Sequence, residues 1–132
     1  MTKLSQAQNP NTSPETLSVL ATDEIWYVRG EVAENLNTSS ETLSILATDK
    51  DWRVRYGVAH NRNTSPEILS ILATDEDSWV RCAAAENPKT PSEILSVLAT
   101  DEDWCVRHHA ARHPNATELI RRLVLMTDSQ AK

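Results

Sequence analysis
The stretch "CVRHHAARH", Cys105 to His113, holds three of the chain's four histidines and one of its two cysteines. Cys105, His108 and His109 stand at i, i+3 and i+4, one face of a helix, with His113 a turn further on. A thiolate and imidazoles at that spacing could hold zinc. The set has neither the HExxH nor the CxxC form, however, and no second cluster accompanies it. His113 also precedes Pro114, where turn chemistry is expected. No resident metal and no cofactor are therefore expected, and Cys105, His108 and His109 are weak candidates for adventitious zinc. Nucleophilic chemistry fares no better. Cys82 or Cys105 beside a histidine would need an orienting third group and an oxyanion hole, and nothing in the sequence supplies either. With only two glycines there is no GxGxxG or GxxxxGK[ST] phosphate cradle. The residue set does not read as an enzyme.

Charged chemistry does recur. Four segments, "LATDEIWYVR", "LATDKDWRVR", "LATDEDSWVR" and "LATDEDWCVR", each place an Asp six residues before an Arg: Asp23 and Arg29, Asp49 and Arg55, Asp75 and Arg81, Asp101 and Arg107. On a helical wheel starting at Val28, Arg29 falls between Val32 and Ala33, on the apolar face. A repeated, partly buried arginine needs an acidic partner. The expected arrangement is an Asp–Arg ladder along the molecule that also satisfies loop amides. A row of free, anion-binding arginines is the alternative.

Around these constant residues the copies differ most at positions 27, 30, 31 and 34 and their equivalents, spaced i, i+3, i+4, i+7 on one exposed face. The candidate partner-binding residues on this stripe are Tyr27, Arg53, Tyr56, His60, Trp79, Cys82, His108, His109 and Arg112. Tyr, Trp and Arg are the types that dominate interface energies. In three copies a Trp lies two residues before the Val (Trp26, Trp52, Trp104). In the third copy Ser78 takes that place and Trp79 moves one position on. The first three are expected to pack over the loop between helices, and Trp79 is expected to be presented to solvent.

The elements that must carry these residues follow from a repeat. Four copies of 26 residues span 9–34, 35–60, 61–86 and 87–112, and twelve positions are identical in all four. Each copy encodes two short helices. The first is expected to start at a Thr-x-x-Glu capping box (Thr12 and Glu15, Thr38 and Glu41, Thr64 and Glu67, Thr90 and Glu93), with Pro14, Pro66 and Pro91 in the first turn. Leu17, Leu20 and Ala21 set its apolar stripe. Asn35, Asn61 and Asn87 suit left-handed helix stops. Helices this short, α or 3₁₀, gain stability only by stacking. Residues 1–8 read as an N-terminal tail. Residues 113–132 read as a partial fifth copy with a capping helix, in which Asn115 and Glu118 pair and Leu119, Ile120, Leu123 and Val124 face inward. The N-terminal edge is thus left uncapped, which suggests self-association, an upstream domain or simple tolerance of an open edge.

The pattern N-P-N-T-P-x-x-L-x-x-L-A-x-D-x-x-x-x-V-R-x-x-V-A resembles the variant leucine-rich repeat, a short relative of the HEAT repeat, over about residues 9–128. The resemblance implies an all-α, right-handed superhelical solenoid acting as an interaction scaffold. The iron–sulfur module of some members is not implied, because no cysteine cluster precedes the repeats.

Composition bounds the partner. The net charge of −6 disfavours nucleic acid and anionic membranes, which attract basic surfaces. The stripe itself offers only Arg53 and Arg112 as permanent cations, beside Glu31, Glu34 and Glu86. The cysteine usage fits a cytoplasmic setting, and no apolar run approaches membrane-spanning length. The expected function is a non-catalytic scaffold for an unknown protein or peptide. A HEAT-like nucleic-acid-binding module and, further behind, a metal-binding or redox-associated protein are the alternatives.

Overall fold
The computed structural model describes residues 1–131, which form ten helices and no strand. They are α1 (Lys3–Gln8), α2 (Pro14–Leu20), α3 (Trp26–Glu34), α4 (Ser40–Leu46), α5 (Trp52–His60), α6 (Pro66–Leu72), α7 (Ser78–Glu86), α8 (Ser92–Leu98), α9 (Trp104–Arg112) and α10 (Glu118–Ala131). All ten are α-helical; none of the short ones is 3₁₀. The second helices form the spine, with α1, α3, α5, α7, α9 and α10 packed one on the next. Each first helix packs against the second helices on either side of it in the chain. The result is a helical solenoid with one continuous apolar core. Leu17, Leu43, Leu69 and Leu95 bring the first helices into that core, and Val28, Val54, Val80 and Val106 bring in the second.

The helix ends differ from the expected capping box. Ser13, Ser39 and Ser65 are the N-caps of α2, α4 and α6, each accepting from the amide three residues on. In the fourth copy Pro91 takes this place and gives no side-chain cap. The preceding threonines face the other way. Thr38, Thr64 and Thr90 donate at 2.6 Å to the carbonyls of Val32, Val58 and Ala84, and so close the end of the previous second helix. A buried threonine hydroxyl has a helix-end carbonyl within reach, whereas the serine beside it is free to cap.

The asparagines are not left-handed stops. Asn35, Asn61 and Asn87 are extended, and no non-glycine residue has positive φ among the described residues. Their side chains work between copies instead. The Asn61 Nδ2 donates to Ala33 O at 2.8 Å and Asn35 O at 3.1 Å, while its Oδ1 accepts from the Asn63 amide. Asn35 and Asn87 repeat the arrangement. Buried peptide groups at the copy junctions are thereby paired, as burial requires.

Residues 3–8 are no tail. They form α1, which packs on α3 as a further second helix. Ala7 stands 26 residues before Ala33, is fully buried, and its carbonyl accepts from Asn35. Lys3 stands 26 residues before Arg29 and pairs with Asp23 at 3.1 Å. The N-terminal edge of α3 is therefore covered by α1. At the other end Thr117, not Asn115, caps α10. Ile120 and Val124 are buried and Leu123 partly so, whereas Leu119 is exposed rather than inward.

Candidate functional site
Each second helix is placed by a two-sided loop. Asp49, Asp75 and Asp101 accept through Oδ1 from the amide two residues on. A second acid, Asp51, Asp77 or Asp103, then caps the helix itself. In the first copy Ile25 occupies that cap position and offers no side-chain bond.

The arginines are buried and join adjacent copies. Arg29 reaches forward to Asp49 through Nε (2.8 Å) and Nη2 (3.1 Å), while its Nη1 donates to the carbonyls of Asp23 and Glu24. Arg55 makes the same two-pronged pair with Asp75, and Arg81 with Asp101. Arg107 closes the series on Asp128 of α10 at 2.9 Å. Each guanidinium ties its own loop to the carboxylate of the following copy, the fork geometry for which arginine is suited. The hydrogen bonds to these carboxylates hold Arg29, Arg55 and Arg81 further toward the charged form. Among the described residues no buried side-chain nitrogen or oxygen lacks a partner, so these guanidiniums are engaged rather than waiting for an anion.

With the arginines engaged, the chemistry left to solvent lies on the stripe. Tyr27, Arg53, Tyr56 and Trp79 converge on one groove of about 490 Å³, and Trp26, Trp52, Gly30, Glu31 and Glu34 complete its lining. Three successive second helices, α3, α5 and α7, contribute. Gly30 lies in this lining with nothing within 4 Å of where a Cβ would stand. Trp26 and Trp52 were expected to pack over loops. They are 36% and 38% exposed and line the groove instead. Trp104 is 54% exposed and Trp79, at 62%, is the most exposed of the four. The shift to Trp79 follows from Ser78 taking the first position of α7, which brings the indole onto the stripe.

The groove already holds one cation over an aromatic face. Arg53 places its guanidinium 3.5 Å from the Trp26 ring centroid and is tethered by two hydrogen bonds to Asp51. Opposite in charge, Glu34 is partly desolvated. Burial first, and then the neighbouring Glu31, push its carboxyl above the usual range, with His60 at 3.3 Å acting the other way. Tyr56 stacks with His60, and burial raises its phenol.

The remaining stripe residues lie apart from this groove. Cys82 is buried, not presented: Tyr56 occupies its register in α5 and stays half-buried, while in α7 the smaller thiol sinks against Glu86. His108 stacks on Trp104 at 4.8 Å and faces Arg112. His109 turns to Glu86 at 3.6 Å. His113 belongs to the copy junction in place of an asparagine. Its Nε2 pairs with Asn87 O at 2.7 Å and its Nδ1 accepts from the Asn115 amide, so the tautomer is set by its partners. A further feature is an apolar row on the first helices, Val19, Ile45, Ile71 and Val97, all exposed. Its signal was present in the sequence, a β-branched aliphatic residue at the same place in every copy.

No helix of the described residues is long and apolar enough to cross a membrane. No curated protein gives a significant match to the chain. A family model described as leucine rich repeat variant matches residues 52–77 and 79–103. Its matches begin at the second helix rather than at the asparagine, a different cut of the same period. In agreement with the helix pairs, residues 52–77 and 79–103 are two adjacent leucine rich repeat variant repeats.

Proposed function
We propose that the chain is a non-catalytic scaffold that binds a protein or peptide along the groove of α3, α5 and α7. The observation that carries this is the convergence of Trp26, Tyr27, Trp52, Tyr56 and Trp79 from three copies on one open groove. Exposed aromatic anchors of this kind are costly to leave in water and supply most of the energy where interfaces form. Repeat solenoids present such rows because each copy contributes the same position to a shared surface. Glu31 and Glu34 in the lining favour a segment bearing a Lys or Arg, whose cation would meet both the aromatic faces and the carboxylates. The same carboxylates and the net charge of −6 argue against a nucleic-acid ligand.

Affinity purification with mass spectrometry from the native host tests this, using the wild-type chain and Trp79→Ala side by side. Trp79→Ala should lose the specific partner, a weakening of about 2 kcal/mol or more for a hot spot, while its circular dichroism is unchanged. A partner retained equally by both baits would mean that the groove does not bind it.

A further inference from the structure
A second cluster lies one step along the spine, between α7 and α9. Cys82 and Glu86 stand at i and i+4 on α7, and His109 reaches across from α9. The Cys82 Sγ is 3.5 Å from Glu86 Oε1, and that oxygen is 3.6 Å from His109 Nε2. All three ligand atoms lie within 4.8 Å of one another. Donors around a tetrahedral zinc, with metal–ligand distances of about 2.0 to 2.3 Å, stand roughly 3.2 to 3.7 Å apart. Two sides of the triangle already have that length, and a small rotation of the half-exposed His109 closes the third.

We propose that Cys82, Glu86 and His109 form a site for a divalent ion of the zinc class. The donor set is one sulfur, one carboxylate oxygen and one imidazole nitrogen, a combination suited to a borderline ion and poorly suited to magnesium or calcium. The site belongs to this step of the solenoid alone. The residues in register with Cys82 are Gly30, Tyr56 and His108, and those in register with His109 are Glu31, Gly57 and Ala83. It is not the Cys105, His108 and His109 set that the sequence spacing suggests. Cys105 and His108 do not join the cluster, and His108 is held by Trp104 and Arg112. A depression lined by Glu86, His109, Arg112 and His113 adjoins two of the three ligands.

The thiolate, not the thiol, is the form of cysteine that ligates a metal. Binding therefore exchanges a proton for the metal: Cys–SH and M²⁺ give Cys–S⁻–M²⁺ and H⁺. The ion would cross-link α7 to α9 at the step next to the aromatic groove.

Cobalt(II) added to the chelator-treated full chain tests the site, since a thiolate-ligated tetrahedral cobalt shows sulfur-to-metal charge transfer and strong visible bands. The expected result is saturation at one equivalent, displacement by zinc, and a rise in melting temperature. The bands should be lost in Cys82→Ser and in His109→Ala, and kept in Cys105→Ser. His109 is half-exposed, so its variant separates loss of a ligand from loss of packing. Absence of the bands in wild type, or bands that survive Cys82→Ser or vanish in Cys105→Ser, would overturn the assignment.

Discussion
Asp75 shows what a single side chain does in this fold. It receives both prongs of Arg55 from the previous copy and the amide of Asp77 from its own loop. Asp75→Ala leaves Arg55 buried and without its carboxylate, which should cost about 3 kcal/mol or more. A chemical denaturation curve measures this directly, and a midpoint close to wild type would remove the pair from the stabilising interactions. Lys3→Ala, at the exposed end of the same series, should cost much less, because a solvated ammonium gains little from its pair. Glu34 behaves in the opposite sense. Its folded-state carboxyl is raised by burial, so its contribution to stability is fully present at low pH and is lost as pH rises through the folded value. Glu34→Gln should therefore raise the melting temperature at neutral pH. The gain should shrink toward zero as pH falls below the ordinary carboxylate range. A gain independent of pH would mean that desolvation is not its cause.

The chain's two glycines, one on α3 and one on α5, have unlike roles. A Cβ added to Gly57 would stand 2.9 Å from the Ala33 Cβ and 3.0 Å from the Gly30 carbonyl. Gly57 is thus the residue that lets the helices approach. Gly57→Ala should destabilise by about 1–3 kcal/mol, the usual range for overpacking. Gly30 meets nothing, and Gly30→Ala should stabilise by up to about 1 kcal/mol through helix propensity alone. Thermal melts of the two variants should move in opposite directions. Equal shifts would mean that the helices are not in close contact at Gly57. The same alanine at Gly30 adds a methyl to the groove lining, which makes it a mild probe of ligand fit.

In the whole molecule, copies touch their neighbours and little else, so a change at one end should be felt locally. Removing residues 1–8 takes away α1, the Lys3–Asp23 pair and the carbonyl of Ala7 that receives Asn35. Amide exchange should quicken in α2 and α3 and stay unchanged in α9 and α10. Uniform quickening along the chain would indicate one cooperative unit rather than a series of stacked ones. The inter-copy pairs also run in one direction, each Arg reaching to the next Asp, and α1 and α10 extend the series at its two ends through Lys3 and Asp128.

The pairing and stacking of the helices from residue 9 onward were legible in the sequence, because a 26-residue period with leucine and valine at fixed places leaves few ways to bury the apolar stripes. The buried arginines were legible for the same reason: Arg29 falls between Val32 and Ala33 on the wheel. Their partners were not, since an Asp six residues back and an Asp twenty residues on are equally plausible until neighbouring copies are set side by side. The threonine and asparagine roles were hidden likewise, because the groups they serve belong to other elements brought near only by stacking. Lys3 and Ala7 carried the register of a further second helix, but too few residues surround them for the period to stand out. The groove and the Cys82, Glu86 and His109 cluster depend on how far one helix is offset from the next. Sequence periodicity gives the face a residue occupies; which side chains of neighbouring helices meet there is decided by the distance of closest approach, and at α3 and α5 that distance depends on the missing Cβ of Gly57.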